Sequence, residues 1–354
     1  MTQHFAYQAL PSRIVFGTLS PALLAAELER LSVTHTLVLT TPPQEARGLE
    51  INRMLGSRGA GVFAGAVMHT PVAVTEQAVE TLRRLGADGV VAFGGGSTTG
   101  LAKAIALRTD VPQLIVPTTY AGSEVTPILG ETEDGVKTTR SSPAILPETV
   151  IYDVELTLSL PPRLSATSGL NAMAHAVEAL YARDGNPVTA LMAEEAIAAL
   201  ARALPRIVAA PEDRDARSDA LYGAWLSGTC LGTVGMALHH KLCHTLGGSF
   251  GLPHAETHAI VLPHALAYNA AAAPEAMARI ARALGAADPA AGLFTLGRQL
   301  GIDQSLQAIG MPEDGLDRAA DLAVEQPYWN PRPIERDAIR RLLARAWAGD
   351  APEA

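Results

Sequence analysis

Up to about residue 157, short runs of apolar and β-branched residues alternate with stretches of helical periodicity, and that alternation admits very few folds. The runs are HTLVLTT (35–41), GVFAGAV (61–67), DGVVAFG (88–94), QLIVPTT (113–119) and TVIYD (149–153). Each is too short for a helix and reads as a strand of a parallel sheet, so the segments between must cross over as helices. In VTEQAVETLRRLGAD, for example, Ala78, Val79, Leu82 and Leu85 make one apolar stripe and Gly86 supplies the stop. From about residue 163 strand-like runs give way to Ala- and Leu-rich helical patterns. Among these are MAEEAIAALARALPRIV, RSDALYGAWLSGTCLG, PEAMARIARALGA, LDRAADLAVEQ and ERDAIRRLLARAWAG. The pattern predicts an α/β domain over 1–157 and an all-helical domain over 158–354, with no fixed-period repeat.

A chain of 354 residues, 48% hydrophobic and 18% charged, is long enough for two such domains. The net charge of −9 comes without a run of basic residues, which argues against a nucleic-acid partner. A small anionic substrate stays compatible, since two or three local cations are enough to hold it. The sequence has two cysteines, Cys230 and Cys243, which fits a reducing compartment without a disulfide framework. No basic n-region followed by an apolar core opens the chain, and no apolar run reaches the roughly 18 to 20 residues of a membrane span. The expectation is a cytoplasmic protein without a membrane partner.

In VVAFGGGSTTGLAKAIAL a buried strand runs through Gly94, Gly95 and Gly96 into a helix that begins near Ser97. Three glycines let the backbone approach a bulky anion, and the helix start offers free N–H groups and the positive end of its dipole to a phosphate. The spacing is not GxGxxG, and the same turn also serves as a tight connection with no ligand. A second polar loop, VPTTYAGSEVTP (116–127), follows the next strand. It carries Thr118, Thr119 and Ser123 to the carboxyl edge, where ligands of open α/β sheets gather, although an ST-rich turn is the plainer reading. Two such loops in succession favour a dinucleotide. After the first strand stand Thr40 and Thr41 with no acidic residue, so neither NADH nor NADPH is selected.

Six of the ten histidines fall in HHKLCHTLGGSFGLPHAETHAIVLPH: His239, His240, His244, His254, His258 and His264. His240 and His244 share a helix face at i,i+4, whereas His239 points about 100° away and reads as structural or solvent-facing. Earlier, SGLNAMAH places Asn171 and His175 at the same i,i+4 spacing, which suits two groups converging on one point.

Taken together, SGLNAMAHAVEAL, HKLCHTLGGSFGLPHAETHAIVLPH, FGGGSTTGLAK and PTTYAGSEVTP resemble the iron-containing (group III) alcohol dehydrogenases, from RIVFG near the N-terminus to NPRP at 330–333. The resemblance implies an N-terminal α/β domain that binds NAD(P), a C-terminal helical domain that holds a divalent metal, and a homodimer in which RIVFG is a plausible pairing edge. Metal ligands would fall on Asn171, His175, His240 and His254, with His244 in the active site but off the metal, and with Lys137 near the nicotinamide ribose. Three departures stand out. The first ligand is usually Asp, GGGSxxDxxK has Gly100 in its Asp place while keeping Lys103, and PTTAGTGSEVT is one residue shorter here with Tyr120 inserted.

These changes, with TTRSSPAILPETVIYDVELTLSLP and PYWNPRP, resemble the maleylacetate reductase branch, which implies reduction of the C=C bond of maleylacetate to 3-oxoadipate in aromatic catabolism. A neutral set of one amide and three imidazoles leaves a divalent ion uncompensated, so a functional metal, iron or zinc, is not expected. In its place Asn171, His175, His240 and His254 would stabilise enolate charge, and His244 or His240 would protonate carbon. For the dianionic substrate the candidates are Tyr120, Lys137, Arg140, Lys241 and Arg332, the charged ones also readable as ordinary surface charge. A metal-dependent alcohol or polyol dehydrogenase, and a lyase similar to dehydroquinate synthase, remain open as alternatives.

Overall fold

The computed structural model describes residues 4–353 and divides into two compact units, residues 10–160 and residues 161–353, the latter with residues 4–9. The break lies at 160/161 because a 3-10 turn, Val154–Thr157, still belongs to the first unit. Asp153 pins that turn, accepting from Glu155 N at 3.0 Å and from Leu19 N at 2.8 Å. The grouping of residues 4–9 with the helices has no counterpart in the sequence pattern.

The first unit runs β1 (Arg13–Phe16), α1 (Pro21–Arg30), β2 (Thr36–Leu39), α2 (Glu45–Met54), β3 (Gly59–Phe63), α3 (Val72–Arg84), β4 (Gly89–Gly94), α4 (Gly96–Thr109) and β5 (Gln113–Pro117). It continues through β6 (Ile128–Glu133) and β7 (Val136–Ser141) to β8 (Thr149–Tyr152). Six strands form one sheet in the order β1-β8-β5-β4-β2-β3, and every pairing is parallel. Val38, Val91, Phe93, Leu114, Val116 and Ile151 pack on Leu24 and Leu28 of α1, and β2, β4, β5 and β8 are buried at every position, so both sheet faces need apolar residues and the strands read as continuous runs. β6 and β7 form a separate antiparallel hairpin, closed by Asp134 and Gly135, both in the left-handed region at φ 49° and 77°.

The second unit is helical: α5 (Pro162–Ala179), α6 (Pro187–Ala209), α7 (Arg214–Thr233), α8 (Leu238–Phe250), α9 (His254–Asn269), α10 (Pro274–Leu284), α11 (Pro289–Gln299), α12 (Gly315–Val324) and α13 (Arg336–Ala348). Caps fix the boundaries: Asn186 accepts from Thr189 N before α6, and Asp213 from Ala216 N before α7. One core joins Leu238, Leu242 and Leu246 of α8 to Ile260 and Val261 of α9, Leu316 of α12, and Ile339 and Leu343 of α13. Gly251, left-handed at φ 67°, stops α8 and lets the chain reverse into α9, which brings two histidine-bearing helices together. Among the described residues no helix is long and apolar enough to cross a membrane.

Candidate active site

In the first unit the C-terminal ends of β2, β4 and β5, three adjacent strands, carry the residues expected to hold a dinucleotide. Gly94 has φ 144°, and a Cβ there would run into the Thr98 and Gln44 side chains. On Gly95 it would meet the Thr119 methyl at 2.9 Å, whereas on Gly96 it would meet nothing within 4 Å. Gly96 is exposed, and as first-turn groups of α4 the N–H groups of Gly96 and Ser97 have no partner within the helix, the cradle an anion requires. Thr98 Oγ1 donates to Gly95 O at 2.8 Å and Thr118 N to Gly94 O at 2.9 Å, which fixes the turn. Thr41 donates to Gln44 Oε1 at 2.9 Å on the β2 side, and Thr119 and Ser123 are half-buried on the β5 side.

The structure accounts for one departure noted in the sequence, Gly100, and for the retained Lys103. A Cβ on Gly100 would collide with the hydroxyl of Thr70, itself held in the left-handed region at φ 45°, so the position has no room for a carboxylate. Lys103 is fully buried. Its ammonium donates to Ser123 O, to Thr126 Oγ1 at 2.9 Å and to Ile128 O at 2.9 Å, and so staples the second polar loop to α4. Burial pulls its pKa down to about 7, with the nearby Glu124 working against that shift.

In the second unit Asn171, His175 and Glu178 lie at i, i+4 and i+7 on the buried half of α5. Glu178 faces the start of α8. It accepts from Ala237 N at 2.9 Å, His239 N at 2.8 Å and His240 Nδ1 at 2.7 Å, so a completely buried carboxylate is paired with a helix N-terminus. Being acceptor-only, it holds the proton of His240 on Nδ1 and turns Nε2 toward His175 Nδ1, 2.9 Å away. A carboxylate–imidazole–imidazole chain results. Asn171 Oδ1 is buried beside it with no hydrogen-bond partner.

His244 lies one turn beyond His240, with ring centroids 6.1 Å apart, and its Nδ1 is 3.0 Å from the Tyr328 hydroxyl. His254, exposed at the start of α9, packs against His258 at 4.3 Å between centroids, and His258 lies 5.1 Å from His240. His239 is fully buried and structural, its Nε2 3.0 Å from His258 Nδ1 and 3.7 Å from Cys243 Sγ. Burial, then the surrounding histidines, push both His239 and His258 well below the usual imidazole range, so both are neutral.

His175, His240 and His244 lie in succession, with ring centroids 5.0 and 6.1 Å apart, His254 adjoins them through His258, and Asn171 lies one turn before His175 on α5, whereas several substrate candidates are placed otherwise. Tyr120 is completely buried and offers no surface. Lys241 is committed to Glu325 O at 2.9 Å. Arg332 donates to Tyr268 O at 3.0 Å and lies 4.1 Å over the Tyr268 ring, so it braces the protein. Arg140 stands exposed on the hairpin, and the Lys137 side chain lies outside the described residues. Glu178 and Tyr328 were not singled out by sequence, and His258 was named in the histidine cluster without a role. Glu178, at i+7 from Asn171, was the most accessible to pattern reasoning.

The geometry finds its class in family profiles. One described as iron-containing alcohol dehydrogenase matches residues 11–154, and one described as the C-terminal part of the Fe-containing alcohol dehydrogenase family matches 165–347. The chain belongs to the iron-containing alcohol dehydrogenase family, and it is an oxidoreductase of a family that uses nicotinamide coenzymes. Within it, the chain is 58% identical over 351 residues to a maleylacetate reductase of Rhizobium sp. (strain MTP-10005), covering 99% of this chain and 100% of that one. It matches the crystal structure of maleylacetate reductase from Agrobacterium tumefaciens with TM-score 0.96 and 59% identity, over 99% and 100% of the two chains. An iron-containing alcohol dehydrogenase from Corynebacterium glutamicum aligns with TM-score 0.93 at 42% identity, over 98% of each chain.

Proposed function

We propose that the protein is a maleylacetate reductase: it reduces the carbon–carbon double bond of maleylacetate, a small dianion, to 3-oxoadipate with NADH or NADPH, and needs no resident metal. The observation that carries this reading is the pairing of His175 Nδ1 with His240 Nε2 at 2.9 Å beside an uncharged Asn171. Two imidazoles on a tetrahedral ion with bonds of about 2.0 to 2.1 Å have nitrogens about 3.4 Å apart, and both lone pairs must face the ion. Here a proton lies between the two nitrogens, and the fourth donor is an amide without charge. The donor set does not fit a resident divalent cation. By contrast, the open space at Gly96 and the free start of α4 fit a pyrophosphate.

The nicotinamide coenzyme supplies the hydride. The chain's residues then have two tasks: to hold enolate charge as it develops on the ketone oxygen, and to deliver a proton to the adjacent carbon. Asn171 and His254 are placed to donate to the oxygen, and His175, whose Nδ1–H goes to His240, can join them only through a protonated Nε2. Both nitrogens of His240 are engaged, by Glu178 and by His175, which leaves His244 as the proton donor. The exposed edge of β1, with Phe16 stacked on Tyr152 at 4.9 Å, is the strand we propose for pairing two copies into a homodimer.

The test is NADH and NADPH oxidation with maleylacetate after exhaustive chelation, with metal analysis of the same preparation. Undiminished turnover with substoichiometric metal is expected. Activity that vanishes and returns with iron or zinc would favour a metal-dependent alcohol dehydrogenase, and turnover without net coenzyme consumption a lyase.

A further inference from the structure

A neutral imidazole can carry its proton on either nitrogen, so a histidine that must deliver a proton in one direction needs something to decide which. The Tyr328 hydroxyl lies 3.0 Å from His244 Nδ1, with the rings edge-on at 6.2 Å and 77°. Tyr328 sits in neither helix nor strand but in the irregular segment between α12 and α13. That segment is anchored along its length. Lys241 Nζ holds Glu325 O, and Asn330 Oδ1 accepts from Leu238 N at 3.3 Å and from Asn269 Nδ2 at 2.9 Å. Asn330 Nδ2 returns a bond to Asn269 Oδ1 at 2.7 Å, and Arg332 clamps Tyr268. Trp329, next to Tyr328, is 41% exposed, so burial of apolar surface is not what these anchors serve. Their effect is to set one hydroxyl against one histidine.

We infer that Tyr328 is a positioning residue for the reductase: its oxygen accepts the Nδ1–H of His244, which makes Nε2 the nitrogen that carries and delivers the proton. The step balances. The Nε2–H bond breaks, the enolate electron pair forms the new C–H bond, and His244 passes from imidazolium to the neutral Nδ1–H tautomer still bonded to Tyr328. A proton from solvent then restores Nε2.

The inference rests on the reading of His244 as proton donor, and Tyr328→Phe, His244→Gln and the double variant separate the two. Tyr328→Phe keeps the ring, and unchanged coenzyme binding checks that it folds. Its kcat is expected to fall about 10-fold or more with coenzyme KM unchanged, and the solvent deuterium isotope effect on kcat to grow as proton delivery slows. In the His244→Gln background the same change is expected to cost nothing further, because Tyr328 acts through His244. Full kcat with an unchanged isotope effect in Tyr328→Phe, or an equal loss in both backgrounds, overturns the role of Tyr328. Wild-type kcat in His244→Gln instead overturns the proton-donor reading itself.

Discussion

At the scale of single residues, the site's buried charge resides on Glu178. Its two oxygens take three N–H donors, so Glu178→Gln must turn an amide N–H toward one of them and leave it unpaired in the interior. A loss of about 3 kcal/mol in urea unfolding and a fall in kcat of about 100-fold are expected, both larger than a surface Glu→Gln change produces. Asn171→Asp is the converse experiment. It restores an anionic donor beside three histidines, and metal analysis after incubation with zinc should show stoichiometric uptake that the parent protein lacks. That Asn171 and His175 face one point was legible, because i,i+4 geometry is local. Glu178 was not. In AVEAL it looks like a solvated charge, and its partners come from residues 237 to 240, some sixty positions on. The same blindness to distant partners made Lys241 and Arg332 look available, when a carbonyl and an aromatic ring already occupied them.

Among the elements, α4 is the clearest case of sequence pattern and structure agreeing, since a strand, three glycines and a helix leave the chain few ways to turn. Gly96→Val places its side chain in empty space, so thermal stability should stay within a few degrees while coenzyme KM rises about 10-fold or more in steady-state assays. Lys103→Met should do more damage. It takes the ammonium away from the Ile128 carbonyl, at about 1 to 3 kcal/mol for a buried group left unpaired, and loosens the loop that carries Ser123, whose carbonyl keeps only Thr126 N and Oγ1 as donors. The expected readout is a lower denaturation midpoint together with weaker coenzyme binding. The strands of the main sheet were legible because burial on both faces writes them as unbroken apolar runs. The β6–β7 hairpin was not, since it stands apart from that sheet with β7 largely exposed, and the Asp134–Gly135 turn was its one strong signal.

For the molecule as a whole, buried histidines set the response to acid. His264 is buried, with Nε2 unpartnered, and burial, then Arg345, lower its pKa to about 4, against the opposing pull of Asp350. In the unfolded chain a histidine titrates near 6.5, so between about pH 6.5 and 4 the unfolded state binds the proton first. Stability is therefore full above pH 6.5 and is lost as pH falls, by about 3 kcal/mol from this group. His239 and His258 add in the same direction. His264→Leu should flatten the dependence of the unfolding midpoint on pH across that window, and an unchanged slope would count against this account. The irregular segment after α12 has a thermodynamic side as well. Pro327, Pro331 and Pro333 restrict it before folding begins, and ordering an ordinary residue costs about 1 to 2 kcal/mol. A segment with little freedom to lose can dispense with regular secondary structure and still keep a hydroxyl in register with a histidine eighty-four positions earlier in the chain.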